Sequence, residues 1–568
     1  MALSAQYDLE SAAGTLVNVA DILQAAAHRL PDKPAIIVQR PPSSRPSDAS
    51  ASAGWRGQSV ISFRELNDEV DRFARGLSEY GIDRGMRTIL MVKPGIAFFV
   101  LTFALFKIGA VPVLIDPGMG RKKLIQCLEE IEAEAFVGIP LAHVARVMFA
   151  KSFRSVRKCV TVGRRLFWGG ANLKDVRAQD SRSFETADVG ANDLAAILFT
   201  SGSTGPAKGV AYEHGMFAAQ VRYLASHFKC GEHDTDVATF PLFALFDVAL
   251  GMTAIIPDMN PSMPGHVNPE RIVSAICDHD ATQIFGSPAL LARVVAHCEH
   301  RKVALPTLRR VLTAGAPIPP ALLARLRKIV SDDADIFTPY GATESLPVAS
   351  IESREVIGET AACTEQGAGI CVGRVLPGME LRIIEISDEP IEDWTHCKEL
   401  RAGEIGEICV RGPVVTKSYF RKPAATRLAK IAEGDTVWHR MGDVGYLDDA
   451  GRLWFCGRKA HRVRTESGTL YTIPCEAVFN THPQVARTAL VGVGDAPNQK
   501  PVLCVEVAID ATLDNESLKA ELLAIGAKNA KTAGIRTVLY HPLFPVDVRH
   551  NAKINREALA LWASRQLQ

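Results

Sequence analysis

The sequence has no Cys-x-x-Cys pair, no long basic run and no uninterrupted apolar stretch long enough to cross a bilayer. Each absence narrows the possible functions. Twelve cysteines scattered without such pairs predict reduced, mostly buried thiols rather than a disulfide framework or a structural zinc. His297, Cys298 and His300 lie close together, but no second cluster completes a ligand set, so a helix surface is expected there. A balance of 64 Lys and Arg against 63 Asp and Glu gives no electrostatic basis for a nucleic-acid groove. Met1 to Gly14 lacks a basic region followed by an apolar core, so no signal peptide and a cytoplasmic location are expected. The most apolar segment, Ile96 to Ile115, is interrupted by Lys107 and Pro112. It predicts a buried helix followed by a strand, not a transmembrane segment.

What is present is a chain of 568 residues with 47% hydrophobic content, enough for two or three packed domains. Residues 18 to 30 place Val19, Ile22, Leu23, Ala26 and Leu30 on one helical face. Residues 41 to 58 are of low complexity and predict a flexible loop or insertion. Ser62 and Glu65 form a capping-box pattern ahead of Leu66, Val70, Phe73, Leu77 and Tyr80 at helical spacing. Strand and helix patterns then alternate through residue 340, which predicts parallel sheets of α/β type. Residues 355 to 371 lack periodicity and read as a loop. From about 379 short strands follow, over Leu381–Ile386, Glu407–Val410, Gly445–Leu447 and Leu453–Cys456. A basic stretch after Gly457 marks a boundary, and the remaining residues predict a small α+β unit.

The stretch Thr200-Ser201-Gly202-Ser203-Thr204-Gly205-Pro206-Ala207-Lys208-Gly209 follows an apolar strand pattern, Leu194 to Phe199. Glycines bring backbone N–H groups close to an anion, hydroxyls add donors, and Lys208 adds a mobile charge. The combination suits a triphosphate, and the position of Lys208 excludes a Walker A loop. A plain Ser/Gly surface loop is the bland alternative. This stretch resembles the phosphate loop of the adenylate-forming enzymes, which include acyl-CoA synthetases, peptide-synthetase adenylation domains and firefly luciferase. Four further segments resemble that family in order along the chain. Leu105 to Pro112 resembles an early structural motif. Thr313-Ala314-Gly315-Ala316-Pro317 resembles the adenine-pocket stretch, although taken alone it equally suits a plain strand-to-helix turn. Pro339-Tyr340-Gly341-Ala342-Thr343-Glu344 resembles the Tyr-Gly-x-Thr-Glu motif. Met441-Gly442-Asp443, with Arg458 fifteen residues on, resembles Thr-Gly-Asp and its partner arginine.

The resemblance implies a fold and a set of roles. The fold would be a large N-terminal domain, residues 1–456, of parallel-sheet α/β subdomains with a β-rich subdomain at about 379–456. A small mobile C-terminal α+β lid, 457–568, would close over it. Tyr340 would stack on adenine, Gly341 and Ala342 would belong to the nucleotide site, Thr343 would hydrogen-bond the α-phosphate region, and Glu344 with Thr200 would hold Mg²⁺. Asp443 and Arg458 would take the ribose of ATP. Lys553, in Asn551-Ala552-Lys553-Ile554, resembles the family's C-terminal lysine, which steadies charge as a carboxylate attacks the α-phosphate.

Three departures refine the resemblance. Ala244 stands in Pro241-Leu242-Phe243-Ala244 where many acyl-CoA synthetases carry an aromatic residue or histidine, which predicts extra space beside the acyl site. Ala460 occupies the hinge position after Gly457-Arg458-Lys459, and the segment from Arg464 to Glu476 breaks the pattern of the hairpin that forms a thiol channel in CoA ligases. Finally, Pro545-Val546-Asp547-Val548-Arg549-His550-Asn551-Ala552-Lys553 resembles the β-lactone synthetases of bacterial long-chain olefin biosynthesis. In that branch a β-hydroxyl of the adenylated fatty acid attacks its own acyl carbon. Asp547 and His550 either assist that step or only shape the loop carrying Lys553. The resemblance implies an AMP-forming ligase acting on a 2-alkyl-3-hydroxy fatty acid, and a complex with other enzymes of olefin biosynthesis. A fatty acyl-CoA or acyl-ACP ligase and an inactive binding module are the alternatives. The apolar run Phe240, Leu242, Phe243, Leu245, Phe246, Val248 and Leu250 suits either an alkyl chain or core packing.

Overall fold

The computed structural model describes residues 17–40, 59–180, 182–200, 207–509, 511–546 and 554–568. The predicted loop at 41–58 lies outside them, as do Ser201 to Gly205, Asp547, His550 and Lys553. Two large sheets dominate. One has seven strands, six of them parallel, running in space from Ala171–Asn172 to Leu194–Thr200, with Lys208–Glu213 added antiparallel at the edge. The second has fourteen strands. Its parallel part joins Pro34–Val38, Thr253–Ile256, Thr235–Ala238, Gln283–Gly286, Arg310–Thr313 and Asp335–Ala342. The later strands continue it antiparallel, through Ser345–Glu352, Ile370–Val375, Arg452–Arg458, Thr436–Leu447, Gly406–Arg411 and Glu380–Ile384. The β-rich segment is therefore hydrogen-bonded into the large sheet.

Local sequence chemistry accounts for much of this. The Ser62 side chain accepts from the Glu65 N–H while the Glu65 carboxylate accepts from the Ser62 N–H, which starts the helix Phe63–Tyr80. Gly81 ends it with φ 88, a conformation that favours glycine. Every residue of the helix Ile96–Lys107 is buried, between its sheet and the helices Val19–Arg29 and Phe63–Tyr80. The Lys107 ammonium is neutralised in that core by Asp71. No described helix is long and apolar enough to cross a membrane. All twelve cysteines are free, and nine are buried.

One expectation fails here. Residues 353–365 are not a loop: Ser353–Glu355 and Ala361–Glu365 are α-helical and flank a π turn, Val356–Thr360. Val356 is buried in a core cluster with Leu323, Leu326 and Ile351, and this tertiary packing stabilises a helix that shows no amphipathic period. After residue 461 the chain forms a separate three-stranded sheet, Val485–Val493, Lys500–Val507 and Thr537–Tyr540, with its own hydrophobic clusters.

Candidate active site

The C-terminal ends of the parallel strands and the hairpins beyond them surround one cavity of about 2150 Å³. Lys208, Gly315, Ala316, Pro317, Tyr340, Gly341, Ala342, Thr343, Glu344, Asp443 and Arg458 all line it. Residues as far apart as Lys208 and Arg458 are brought together by sheet register. Thr200 pairs with Lys208 across the two edge strands. Ala342 pairs with Ser345, so Thr343 and Glu344 form a two-residue hairpin tip at the end of a core strand. A Cβ on Gly341 would meet the Ser345 carbonyl at 2.5 Å, so this close approach needs glycine.

Asp443 is buried directly opposite Arg458 in the antiparallel pair Thr436–Leu447 and Arg452–Arg458. The spacing of fifteen residues in the sequence is thus one rung of a ladder. Arg458 approaches Asp443 Oδ1 to 2.9 Å, and the Tyr340 hydroxyl donates to Asp443 Oδ2 at 2.7 Å. Burial, then the Asp443 charge, holds the Tyr340 phenol well above its usual pKa, so it remains a donor at neutral pH. Gly442 takes φ 67 just before Asp443. Met441, the departure from threonine, is buried with Val410 and Leu453.

Glu344 is fixed from two sides. Its carbonyl accepts from the Thr416 N–H at 2.9 Å and the Thr416 hydroxyl at 3.0 Å. Its carboxylate accepts from the Tyr419 hydroxyl at 2.7 Å. The Lys208 ammonium lies 4.7 Å from the Tyr419 ring centroid. Behind them Lys430 is buried and donates to the Thr416 carbonyl. Burial pushes its pKa down to about 7 against the opposing pull of Glu344. Tyr419 and Lys430 were not visible as site residues in the sequence. Tyr419 arrives because residues 418–420 hydrogen-bond along the strand that begins at Lys208, a long-range contact with no local signature.

The other end of the cavity is apolar, with Phe98, Phe217, Leu242, Phe243 and Phe246 among its lining residues. Val248 and Leu250 from the same run are buried in the core and do not line it. Nor does Ala244, which is fully buried. The short helix Ala244–Ala249 behind this wall carries Asp247, buried against Asp236. Burial raises both carboxyl pKa values, and at Asp247 the Asp236 charge raises it further. Asp247 thus keeps its proton beside Asp236. Carboxyls that hold protons more tightly when folded add stability below the unfolded pKa of about 4 and lose it as pH rises through their folded values. Asp247→Asn retains a neutral donor, so its thermal midpoint is expected to fall less than that of the parent between about pH 5 and 8. Calorimetry across that range checks this, and parallel pH profiles would contradict it.

Lys553 itself lies outside the described residues. Its neighbour Ile554 lines the cavity and pairs with Val546. Arg556 also lines the cavity, and one of its Nη atoms lies 2.7 Å from each carboxylate oxygen of buried Glu476. No group of three or more His, Cys, Asp or Glu among the described residues is arranged to hold a metal.

An AMP-binding enzyme family model matches residues 23–420. The chain belongs to the AMP-binding enzyme family. Two relatives extend the match to nearly the whole length. An olefin beta-lactone synthetase of Stenotrophomonas maltophilia is 51% identical over 558 residues, covering 97% of this chain and 99% of that one. An olefin beta-lactone synthetase of Xanthomonas campestris pv. campestris is 49% identical, covering 97% and 98%. Among solved structures, the amide bond synthetase McbA from Marinactinospora thermotolerans superimposes with a TM-score of 0.78 at 22% identity, over 96% of this chain and 99% of that one. The large parallel-rich sheets are those of this fold.

Proposed function

We propose that the protein is an AMP-forming ligase that adenylates a 2-alkyl-3-hydroxy fatty acid with ATP and closes the acyl-adenylate to a β-lactone. The observation that carries this reading is the single cavity. Its polar end presents Asp443, Tyr340, Arg458, Lys208 and Glu344, and its apolar end presents Phe98, Phe217 and Phe246. A nucleotide and an alkyl acid can meet there. The names of the two full-length relatives support the lactone as product.

In the first step a carboxylate oxygen of the acid attacks the α-phosphorus of ATP and pyrophosphate leaves. Asp443 takes the ribose hydroxyls, held in place by Arg458 and Tyr340. Lys208 and Ser201 to Gly205 take the phosphates, and Lys553 offsets charge on the reacting oxygens. Glu344 is one fixed carboxylate rather than a cage. That suits a Mg²⁺ ion arriving with the nucleotide, since this ion keeps waters and phosphate oxygens among its six ligands. When bound, it would offset charge on the departing pyrophosphate, with Glu344 and Thr200 as its protein contacts. In the second step the β-hydroxyl oxygen bonds to the acyl carbon, the acyl–phosphate C–O bond breaks, and AMP leaves. Asp547 or His550 accepts the hydroxyl proton. We further take 1–456 as the core, 457–568 as a mobile lid, and the cytoplasm, among other olefin-forming enzymes, as the setting.

Exchange of labelled pyrophosphate into ATP tests the first step. Exchange is expected only when a 2-alkyl-3-hydroxy acid is present. Absence of exchange with every such acid would overturn the reading.

A further inference from the structure

The helix Pro140–Met148 and the loop at 163–168 form a surface with an unusual composition. Five of the fourteen exposed large hydrophobic side chains among the described residues, Leu141, Val147, Met148, Leu166 and Phe167, fall within these two short segments. Phe167 is 78% exposed, Leu141 74% and Met148 68%. The loop that carries Leu166 and Phe167 is fastened along the helix that carries the other three. Pro140 packs at Gly163, the Trp168 ring stacks on His143 at 5.4 Å, and Arg146 donates to the Trp168 carbonyl at 2.8 Å. A local concentration of exposed apolar side chains marks a candidate interaction site.

The segment that carries these side chains is basic along the sequence. Between residues 135 and 174 the sequence has eight Lys and Arg and no Asp or Glu, in a chain whose overall charges balance. Lys151, Arg154, Arg157, Arg164, Arg165 and Lys174 are exposed. The face also joins the cavity. Leu141, Ala142 and Ala145 of the same helix line it, so Leu141 stands both on the surface and at the cavity wall.

We propose that this face docks on the surface of a bilayer carrying anionic headgroups, so that the cavity opens toward the lipid. Exposed leucine, methionine and phenylalanine enter the headgroup boundary while the surrounding lysines and arginines meet the phosphates. A bilayer fits better than an acidic protein, because the face combines protruding apolar side chains with basic charge and leads into an apolar cavity. A poorly soluble alkyl acid would then enter from the lipid; that last point rests on the proposed function, whereas the docking does not.

The test uses the full chain and co-sedimentation with vesicles. Binding is expected to vesicles of equal parts phosphatidylglycerol and phosphatidylcholine. It should weaken strongly in pure phosphatidylcholine and in about 0.5 M salt. Leu166→Ser with Phe167→Ser is expected to lower the partition by about tenfold, and Lys151→Glu with Arg164→Glu by about thirtyfold. All four residues are exposed, so circular dichroism and turnover of a short, dissolved hydroxy acid should match the parent. Turnover of a long-chain acid carried in the vesicles should fall in step with binding. Failure to bind anionic vesicles, or variants that bind as well as the parent, would overturn the proposal. So would variants that change the sedimentation of the protein alone, since the face would then join protein to protein. Absence of turnover with intact vesicle binding would instead count against the proposed reaction alone.

Discussion

Asp443→Ala is expected to lower kcat/KM for ATP by roughly 10²–10³, mostly through KM. Asp443 is the point where three strands deliver their polar groups: Tyr340 donates to one oxygen at 2.7 Å and Arg458 meets the other at 2.9 Å. In the proposed complex its carboxylate receives two ribose hydroxyls. Hydrogen bonds to a charged group contribute about 1.5–3 kcal/mol each, and a factor of ten corresponds to about 1.4 kcal/mol. Losing the pair, with some overlap between them, gives the stated range. Deoxynucleotides supply the control. The 2′-deoxy analogue of ATP should lose part of this factor with the parent protein and much less with the variant. A variant with unchanged KM for ATP and an unchanged thermal midpoint would remove Asp443 from the ribose site.

Glu407→Ala is expected to destabilise the protein by about 3–5 kcal/mol, because it breaks a buried ion pair and leaves its cation uncompensated. Glu407 and Arg440 are almost completely buried. Arg440 donates to both Glu407 oxygens, at 3.1 and 2.7 Å, and to the carbonyls of Glu389 and Leu428. Lys459 adds a third member, 2.8 Å from Glu407 Oε1, and burial already lowers its pKa. This network joins the strand carrying Asp443 to the residue that follows Arg458, so its loss is expected to loosen both sides of the ribose site. Urea unfolding followed by tryptophan fluorescence is a suitable readout, since Trp438 is fully buried and stacks on Trp394 at 4.4 Å nearby. Glu407→Gln should cost less, as it keeps the shape. A midpoint for Glu407→Ala equal to that of the parent would contradict the argument.

These examples also show which parts were legible in the sequence. Ser62 with Glu65 and Asp443 with Arg458 are local or hairpin relations, in which spacing along the chain maps directly onto geometry. The alternation of strand and helix patterns likewise led to parallel sheets, because each element carries its own periodicity. What stayed hidden depends on contacts between distant segments. Tyr419 reaches Glu344 across 75 residues, and Lys430 acquires its altered pKa only from burial. The helix at 353–365 forms because Val356 packs into a core assembled from elsewhere. The burial of Ala244 was hidden for the same reason, since it depends on the segments packed around its short helix.

The most direct measurement of the central claim is the product formed from MgATP and a synthetic 2-alkyl-3-hydroxy fatty acid, with and without CoA, followed by NMR of the organic product and by AMP release. The account predicts a β-lactone in both reactions, with AMP and lactone in equal amounts and no requirement for CoA. A thioester that appears only with CoA, and no lactone without it, would contradict the account and make the protein an acyl-CoA ligase.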